Sequence, residues 1–328
     1  MKPALPLVSL LAILALMLIA AGCTQQAPAP VPVVYIVYGS EKGDLSYTDA
    51  ASQGLANAER DMPVAIKEFF PRNYETLPAI LNQTSVTEKP ILIITVGFQY
   101  ANFTRQLAQQ HEDIRFLAID QAGIGAENLR AYEITSYGDS YLAGVLAASA
   151  TKSGHVGTIL GMQSDVLEAF RQGYSDGARA VNASIIVDHA WVHQYSVDGF
   201  TDAEEAERIA ENMYSNGTDV IYTCAGYSNM GAFRAANSTT GRFIIGTDTD
   251  QSPLGPEFVL ASAVKRVDRI VYASVTDVLN GTFTGGDHRA GLKEGATGIV
   301  YNPKFASFNV SVTAWEPLAL AREEKFLA

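Results

Sequence analysis

Short runs of apolar, mostly β-branched residues alternate with longer segments of helical periodicity from Val33 onward. After Ser46, for example, Ala51, Leu55 and Ala58 recur three or four positions apart, which is typical of a helix with one buried face. Strands are predicted at 33–37, 64–69, 91–96, 116–119, 128–133, 156–160, 185–191, 220–224 and 243–245, with further short strands in the tail. Helices are predicted at 47–60, 74–81, 99–111, 140–151, 166–181, 203–215, 229–236 and 265–279. Strands that alternate with helices indicate parallel βαβ units, here in two α/β lobes.

The segment Ile244–Gln251 runs from a buried strand into a loop with two carboxylates, Asp248 and Asp250. In open α/β sheets, ligands bind at the carboxyl ends of the strands. Asp248 is therefore a candidate ligand acceptor, and Asp120 follows a similar apolar run in the first half of the chain. The alternative, that Asp248 only caps the next turn, stays open at this point.

The N-terminus has the pattern of an export signal. Lys2 precedes an apolar run, and small residues lead into Cys23, as at a lipoprotein cleavage site where the Cys becomes the lipid-bearing first residue. We expect a signal peptide at 1–22 and a lipid-anchored spacer, rich in Pro, Ala and Gln, at 23–32. An uncleaved membrane anchor is the alternative, and both interpretations place the bulk of the chain outside the cytoplasmic membrane.

Charge and composition limit the classes of partner that the chain can be expected to bind. The formal net charge of −12 argues against nucleic acid and against an anionic membrane surface. Cys224 has no partner for a disulfide if Cys23 is lipidated, and it is expected to be a small buried hydrophobe. Seven Asn-x-Ser/Thr sequons, together with the export signal, suggest a glycosylating cell surface. Their asparagines are Asn82, Asn102, Asn182, Asn216, Asn237, Asn280 and Asn309.

No catalytic constellation stands out, so we expect no enzyme activity, no cofactor and no metal. His189 and His193 share a face but lack a third ligand nearby in sequence. Pro253 stands where a calcium loop that begins at Asp248 would need its Gly. The segment Gly226–Met230 resembles a nucleophile elbow but ends in Met, and no complete dinucleotide or phosphate-binding loop occurs.

Aromatic residues and carboxylates near strand ends suit a flat ligand that carries hydroxyls. Tyr47, Phe170 and Phe200 can form apolar faces for a base, although ordinary core packing is the alternative for each of them. Asp120 and Asp248 can each accept two hydroxyl hydrogens, which suits a vicinal diol such as ribose. Lys265 is expected to donate to a hydroxyl and to offset the negative charge.

Several short motifs in order resemble the basic membrane protein family, also called the purine nucleoside receptor A group, of substrate-binding lipoproteins. The resemblance covers nearly the whole mature chain. It rests on Asp44-Leu45-Ser46-Tyr47-Thr48-Asp49 with Gly54-Leu55, Gly97-Phe98, Phe116–Asp120, Tyr141-Leu142-Ala143-Gly144, Phe170–Tyr174, Gly199–Asp202, Gly246–Gln251 and Ser262–Lys265.

The resemblance implies a type I periplasmic-binding-protein fold, in which two doubly wound parallel-sheet lobes are joined by a three-strand hinge, and a monomer. It implies that a base lies between Tyr47 and Phe200. It assigns Asp120, Gly226, Asp248 and Lys265 to the ribose side, and Ser46, Thr48 and Asp49 to the base edge or the entry loop. Thr48 and Asp49 stand where the family usually has Asn and Gln, which leaves the preference for purines open.

The resulting hypothesis is an extracytoplasmic, membrane-tethered lipoprotein that captures nucleosides in an interlobe cleft and delivers them to the permease of an ABC importer. Lobe one is expected at 33–135 plus 250–284, and lobe two at 136–249 plus 285–328. The main alternative is a receptor for a sugar or signal molecule that acts through a sensor protein. A surface structural or adhesive protein is a further alternative, to which the sequons lend weight.

Overall fold

The computed structural model describes residues 30–85 and 88–328, without the side chains of Asn309 and Val310. The predicted signal peptide and Cys23 lie outside these residues. Within the described part of the chain, no helix combines the length and apolarity that a membrane crossing requires.

Strands and helices alternate along most of the chain. The strands are β1 (Val33–Val37), β2 (Ala65–Phe69), β3 (Pro90–Val96), β4 (Arg115–Ile119), β5 (Leu129–Ile134), β6 (His155–Leu160), β7 (Ile186–Trp191), β8 (Val220–Cys224), β9 (Phe243–Asp248), β10 (Val259–Lys265), β11 (Gly286–Ala290) and β12 (Thr297–Tyr301). The α-helices are α1 (Tyr47–Asp61), α2 (Leu77–Gln83), α3 (Ala101–Gln110), α4 (Tyr137–Ala150), α5 (Asp165–Val181), α6 (Ala203–Ser215), α7 (Asn229–Asn237), α8 (Val267–Asn280), α9 (Ser307–Thr313) and α10 (Glu316–Phe326).

The predicted elements are confirmed from β1 to β9, with ends that shift by a few residues. The sequence pattern predicts no strand over the fully buried run of β10 and a helix that begins at Lys265. That placement is wrong, because Lys265 is the last residue of β10 and the helix begins at Val267. This strand consists mostly of small buried residues, so its hydrophobic pattern does not distinguish a strand from a helix.

Two six-stranded sheets organise the fold. The first has the order β11-β5-β4-β3-β1-β2 and is parallel throughout. The second has the order β12-β10-β9-β8-β6-β7, and only the β10–β12 pair is antiparallel. In each sheet the strand order reverses after its first strand, which is the doubly wound arrangement that opens a crevice at the carboxyl ends of the strands. We call the units built on these sheets the first and second lobes.

The chain crosses between the lobes three times. The crossings follow β5, β10 and β11, and they lie side by side because Thr135 N donates to Ala290 O (3.0 Å) and Arg266 N donates to Ala296 O (2.8 Å). Three crossings agree with the expected hinge.

The expected lobe boundaries after residue 249 are wrong. Residues 250–284 were assigned to the first lobe, yet β10 pairs with β9 and β12 in the second sheet. Residues 285–328 were assigned to the second lobe, yet β11 pairs with β5 in the first sheet. The cause is the unrecognised strand β10, which delays the second crossing to Arg266 and therefore shifts the third crossing as well.

Helix α8 returns to the first lobe and packs against α1. Val267, Ile270 and Val271 share a buried cluster with Leu55 of α1. The two backbones approach so closely that a Cβ at Gly54 would lie 2.5 Å from the carbonyl oxygen of Asp268. This contact fixes α1, and with it the N-terminal turn of α1 that enters the cleft.

A carboxylate from the C-terminal helix accepts hydrogen bonds from the backbone at two of the crossings between the lobes. Glu323 of α10 is buried and accepts hydrogen bonds from Gly138 N (3.0 Å), in the first turn of α4, and from Leu292 N (3.1 Å), in the third crossing. It thereby satisfies one of the backbone N–H groups that the start of a helix leaves without a partner. Burial raises the pKa of Glu323, and the two backbone donors oppose that rise.

Candidate functional site

The cleft between the lobes is a cavity of about 640 Å³. Most of its lining comes from residues at or just after the carboxyl ends of β1, β3, β4, β8, β9 and β10. The N-terminal turn of α1, part of α5 and the loops that follow β2 and β7 supply the rest. The volume lies within the range of roughly 300–1,000 Å³ that is usual for small-molecule sites. Both lobes contribute, so relative motion of the lobes changes the access to the cavity.

Three charged side chains meet at one end of the cleft. Asp120 follows β4 in the first lobe, whereas Asp248 and Lys265 end β9 and β10 in the second. Lys265 Nζ lies 2.6 Å from Asp120 Oδ2, and both side chains are buried, with 3% and 5% of their surface exposed. Ser46 Oγ donates to Asp248 Oδ2 at 2.5 Å. Since each contact joins one lobe to the other, this cluster is also part of the interface between the lobes.

Asp120 and Asp248 share an unusual backbone conformation. Their φ angles are +58° and +66°, in the left-handed region that a side chain with a Cβ rarely adopts. Asp tolerates this region better than most residues, because its short side chain can bond locally. Asp120 Oδ1 does accept from Ile134 N at 3.3 Å. Strain of this kind gathers at functional sites, where it costs of the order of 1–3 kcal/mol for each residue.

The cluster contains two carboxyl groups, those of Asp120 and Asp248, but only one ammonium group, that of Lys265. Burial raises the pKa of Asp248 to about 6, although Lys265 and the hydrogen bond from Ser46 lower it. Asp248 is therefore mostly ionised at neutral pH but accepts a proton in mildly acidic solution. Each of its oxygens can accept more than one hydrogen bond, so capacity remains for a ligand.

A third carboxyl group, Asp139 in the first turn of α4, lies near this cluster and was missed by the sequence analysis. It is fully buried and makes no hydrogen bond through its side chain to any residue that the structure describes. Burial and the nearby Glu323 raise the pKa of Asp139 well above its usual range, and Lys265 opposes that rise. This rise favours the uncharged form of Asp139, and it is Asp120 that forms the ion pair with Lys265.

Aromatic side chains from both lobes form the walls. Tyr47 and Phe98 belong to the first lobe, and Phe170 and Phe200 belong to the second. Lys265 Nζ lies 5.4 Å from the ring centroids of both Tyr47 and Phe170, within cation–π distance. These two rings therefore screen the buried ammonium group.

Two glycines make room for Phe200. A Cβ at Gly161 would lie 2.4 Å from a ring carbon of Phe200, so this position has no space for a side chain. Gly226 lines the cleft with φ +55°, and a Cβ there would lie 3.2 Å from the Phe200 carbonyl oxygen. The ring is thus seated against backbone, which holds it as a rigid wall.

The loop before α1 is held by two acidic side chains. Asp44 accepts hydrogen bonds from the backbone N–H groups of Ser46, Thr48 and Asp49. Asp49 accepts from Gly43 N and Leu45 N, both at 2.8 Å. Asp49 therefore shapes the entry loop and does not line the cleft.

Eight of the ten predicted ligand-binding residues line the cleft. They are Tyr47, Thr48, Asp120, Phe170, Phe200, Gly226, Asp248 and Lys265. Ser46 and Asp49 do not line it, and both act on residues that do. Phe98 was missed as a wall residue, although the Gly97-Phe98 pair forms part of the resemblance and follows a buried strand.

Metal ligands do not gather in the part of the chain that the structure describes. Across residues 30–85 and 88–328, no group of three or more His, Cys, Asp or Glu side chains is placed to hold a metal ion. Cys224 is a buried free thiol in the cleft lining, and burial raises its pKa well above the usual value. The arrangement is suited to holding a polar ligand.

Comparisons with known proteins agree with this geometry. Basic membrane protein A1 of Borrelia garinii subsp. bavariensis is 29% identical over 288 residues, which cover 85% of this chain and 83% of that protein. The ABC transporter nucleoside-binding protein BmpA of Lactococcus lactis subsp. cremoris is 29% identical over 286 residues, with 81% and 80% covered.

Solved structures show the same architecture. A solute-binding protein of an ABC transporter system from Aeropyrum pernix K1 superimposes with a TM-score of 0.74 at 25% identity, covering 90% of this chain and 86% of that one. A solute-binding protein of an ABC transporter system from Conexibacter woesei superimposes with a TM-score of 0.67 at 15% identity, covering 89% of this chain and 97% of that one. At this identity the likeness supports the fold alone. The type I periplasmic-binding-protein fold is therefore confirmed.

The family profile described as Bmp, ABC transporter substrate-binding protein PnrA-like, matches residues 31–315. With two doubly wound lobes around a ligand-sized cleft, this chain belongs to the Bmp family of PnrA-like ABC transporter substrate-binding proteins.

Proposed function

We propose that this protein is a lipid-anchored, extracytoplasmic receptor that captures nucleosides in the cleft and delivers them to an ABC importer. The observation that carries the proposal is the pair Asp120 and Asp248, buried with Lys265 at one end of an aromatic-walled cavity. The similarity to a Lactococcus lactis relative named as a nucleoside-binding protein supports it. Export and attachment at Cys23 rest on the sequence pattern of the N-terminus.

The charged end of the cleft is assigned to the ribose. A vicinal diol presents two O–H donors side by side, and the two carboxylates of Asp120 and Asp248 supply acceptors for both. Hydrogen bonds to ionised groups are stronger than those between neutral groups, particularly where water is excluded. Lys265 adds a donor for the hydroxyl oxygens and offsets part of the negative charge.

The aromatic region is assigned to the base. Stacking of a base on an aromatic side chain is worth roughly 1–3 kcal/mol, and it tolerates any base because each has a π-face. We place the base between Tyr47 of the first lobe and Phe200 of the second, with Phe98 as a further wall. Since these rings come from different lobes, a base held between them favours the closed arrangement of the lobes.

A ligand panel tests the proposed function. Protein stripped of carried-over ligand by refolding is heated with nucleosides, free bases, ribose or other sugars. At about 100 times the dissociation constant, a ligand adds roughly 2.7 kcal/mol to the free energy of unfolding, so the melting temperature rises. We expect a rise with nucleosides that neither bases nor ribose reproduce. A rise with a sugar alone would instead favour the sugar or signal receptor, and no rise with any nucleoside would refute the proposal.

The variant Asp248→Asn tests the assignment of the diol. It replaces an ionised acceptor by an amide that donates toward the ligand hydroxyls. We expect nucleoside affinity, measured by calorimetry, to fall about 10- to 100-fold, which corresponds to the roughly 1.5–3 kcal/mol of a charge-assisted hydrogen bond. Asp250→Asn is the matched control, because Asp250 lies two residues away, is exposed and does not line the cleft. Equal affinity of the Asp248 variant and the wild type would contradict the assignment, provided that both unfold at similar temperatures.

The pH dependence of binding follows from the pKa of Asp248. In the ligand-free protein this pKa is raised to about 6, and hydroxyl donors from a ligand would favour the ionised form and lower it. The affinity is then at its maximum above about pH 6, where Asp248 is ionised. As the pH falls below that value the affinity decreases, and the decrease approaches tenfold for each pH unit. Calorimetry with inosine, whose base stays uncharged over this range, should show that decline between about pH 7 and pH 5. A flat profile for a protein that stays folded would show that Asp248 does not meet the ligand as a carboxylate.

A further inference from the structure

The asparagines of this chain are distributed unevenly between sequons and other positions. Seven of the 13 asparagines have Ser or Thr two positions later and a residue other than Pro between. Ser and Thr make up 43 of the 328 residues, so chance placement would give fewer than two sequons. The excess calls for a role that the ligand cleft does not supply.

Exposure separates the two groups of asparagines. All six sequon asparagines whose side chains are described are exposed: Asn82, Asn102, Asn182, Asn216, Asn237 and Asn280. The side chain of the seventh, Asn309, lies outside the described residues. Of the six asparagines outside sequons, Asn128, Asn229 and Asn302 are buried and only Asn212 is exposed. The sequon thus coincides with access from solvent.

The exposed sequons gather at one edge of each sheet. Five of the asparagines lie in the last turn or at the C-cap of α2, α5, α6, α7 and α8, and each is followed within ten residues by the start of a strand. That edge holds the amino ends of the strands, whereas the cleft lies at their carboxyl ends. None of the six asparagines lines the cleft. Only Asn102, which lies in the first turn of α3 just after β3, is on the cleft side of its sheet.

We propose that the exposed sequons at the sheet edges away from the cleft carry N-linked glycans, added from a lipid-linked sugar phosphate donor. This inference rests on the extracytoplasmic placement proposed above. In the transfer, Nδ2 of the asparagine bonds to the anomeric carbon of the sugar, and the bond from that carbon to the phosphate oxygen breaks. The lipid phosphate leaves with the electron pair, and an amide proton passes to a base of the transferase.

The exposure of the third residue of the sequon, the Ser or Thr, ranks the sites. At Asn182, Asn237 and Asn280, the hydroxyl residue two positions later is exposed as well. At Asn102 and Asn216 that residue is a buried threonine, and the Thr104 hydroxyl bonds to the carbonyl oxygen of Tyr100. We therefore expect the highest occupancy at Asn182, Asn237 and Asn280. Glycans there cover the outer ends of the lobes and leave the cleft free to open and close.

Mass spectrometry of the protein purified from the membranes of the cells that naturally make it tests the inference. We expect peptides that contain Asn182, Asn237 and Asn280 to carry added hexose-type mass. Asn212 is the internal control, since it is exposed and lies four residues before Asn216 but has Tyr214 two positions later. Three bare sequons on a chain whose signal peptide has been removed would overturn the inference. Three bare sequons on a chain that protease added outside intact cells cannot reach would overturn the extracytoplasmic placement as well.

A pair of variants separates the sequon from the asparagine itself. Thr239→Ala leaves Asn237 in place but removes the sequon, and it should abolish the glycan at Asn237. Thr239→Ser keeps the hydroxyl and should retain the glycan. Thr239 is exposed and does not line the cleft, so nucleoside affinity should stay within about twofold of wild type in both variants. A glycan that persists on Asn237 in the Thr239→Ala variant would contradict sequon-directed transfer.

Discussion

The buried ion pair between Lys265 and Asp120 is the contact on which the rest of the site depends. Burying a charge costs several kcal/mol unless a partner compensates it, and here the partners come from different lobes. The pair leaves Asp248 with only partial compensation, as its raised pKa shows. A surplus of buried acceptors disfavours the empty site and suits a ligand that brings hydroxyl donors. The left-handed backbone conformation of both aspartates adds a local conformational strain, which the stability of the surrounding sheets offsets.

The two lobes divide the work of holding a ligand. Each sheet delivers side chains at its carboxyl edge, and the aromatic walls come from both lobes. The crossings that join the lobes lie side by side, and Glu323 ties two of them to the C-terminal helix. A hinge restrained in this way allows the lobes to rotate while the strand ends keep their positions within each lobe. The free energy of ligand binding can then drive closure of the lobes.

Much of this arrangement could be predicted from the chain alone. Continuous apolar runs that end in Asp120 and Asp248 identified the strands and the edge at which ligands bind. Ser46, Thr48, Asp49 and Gly226, by contrast, were candidates only through the family resemblance. Lys265 was a site candidate and does line the cleft, but it was placed on the wrong element, because a strand of small buried residues carries no clear period. The lobe boundaries failed for the same reason. Asp139 could not be recognised, since only the folded chain shows that its carboxyl group is buried beside Glu323 and Lys265.

The claim that the carboxylates bind a vicinal diol is tested most directly by one comparison. Ligand-free protein is titrated in a calorimeter with a ribonucleoside and with its 2′-deoxy counterpart, which share the base and differ by one hydroxyl. Loss of that donor leaves a buried carboxylate without a partner in the closed cleft, so we predict that the deoxynucleoside binds at least about tenfold more weakly. Equal affinities would show that the charged end of the cleft does not bind the ribose diol. The central assignment of Asp120, Asp248 and Lys265 would then be wrong.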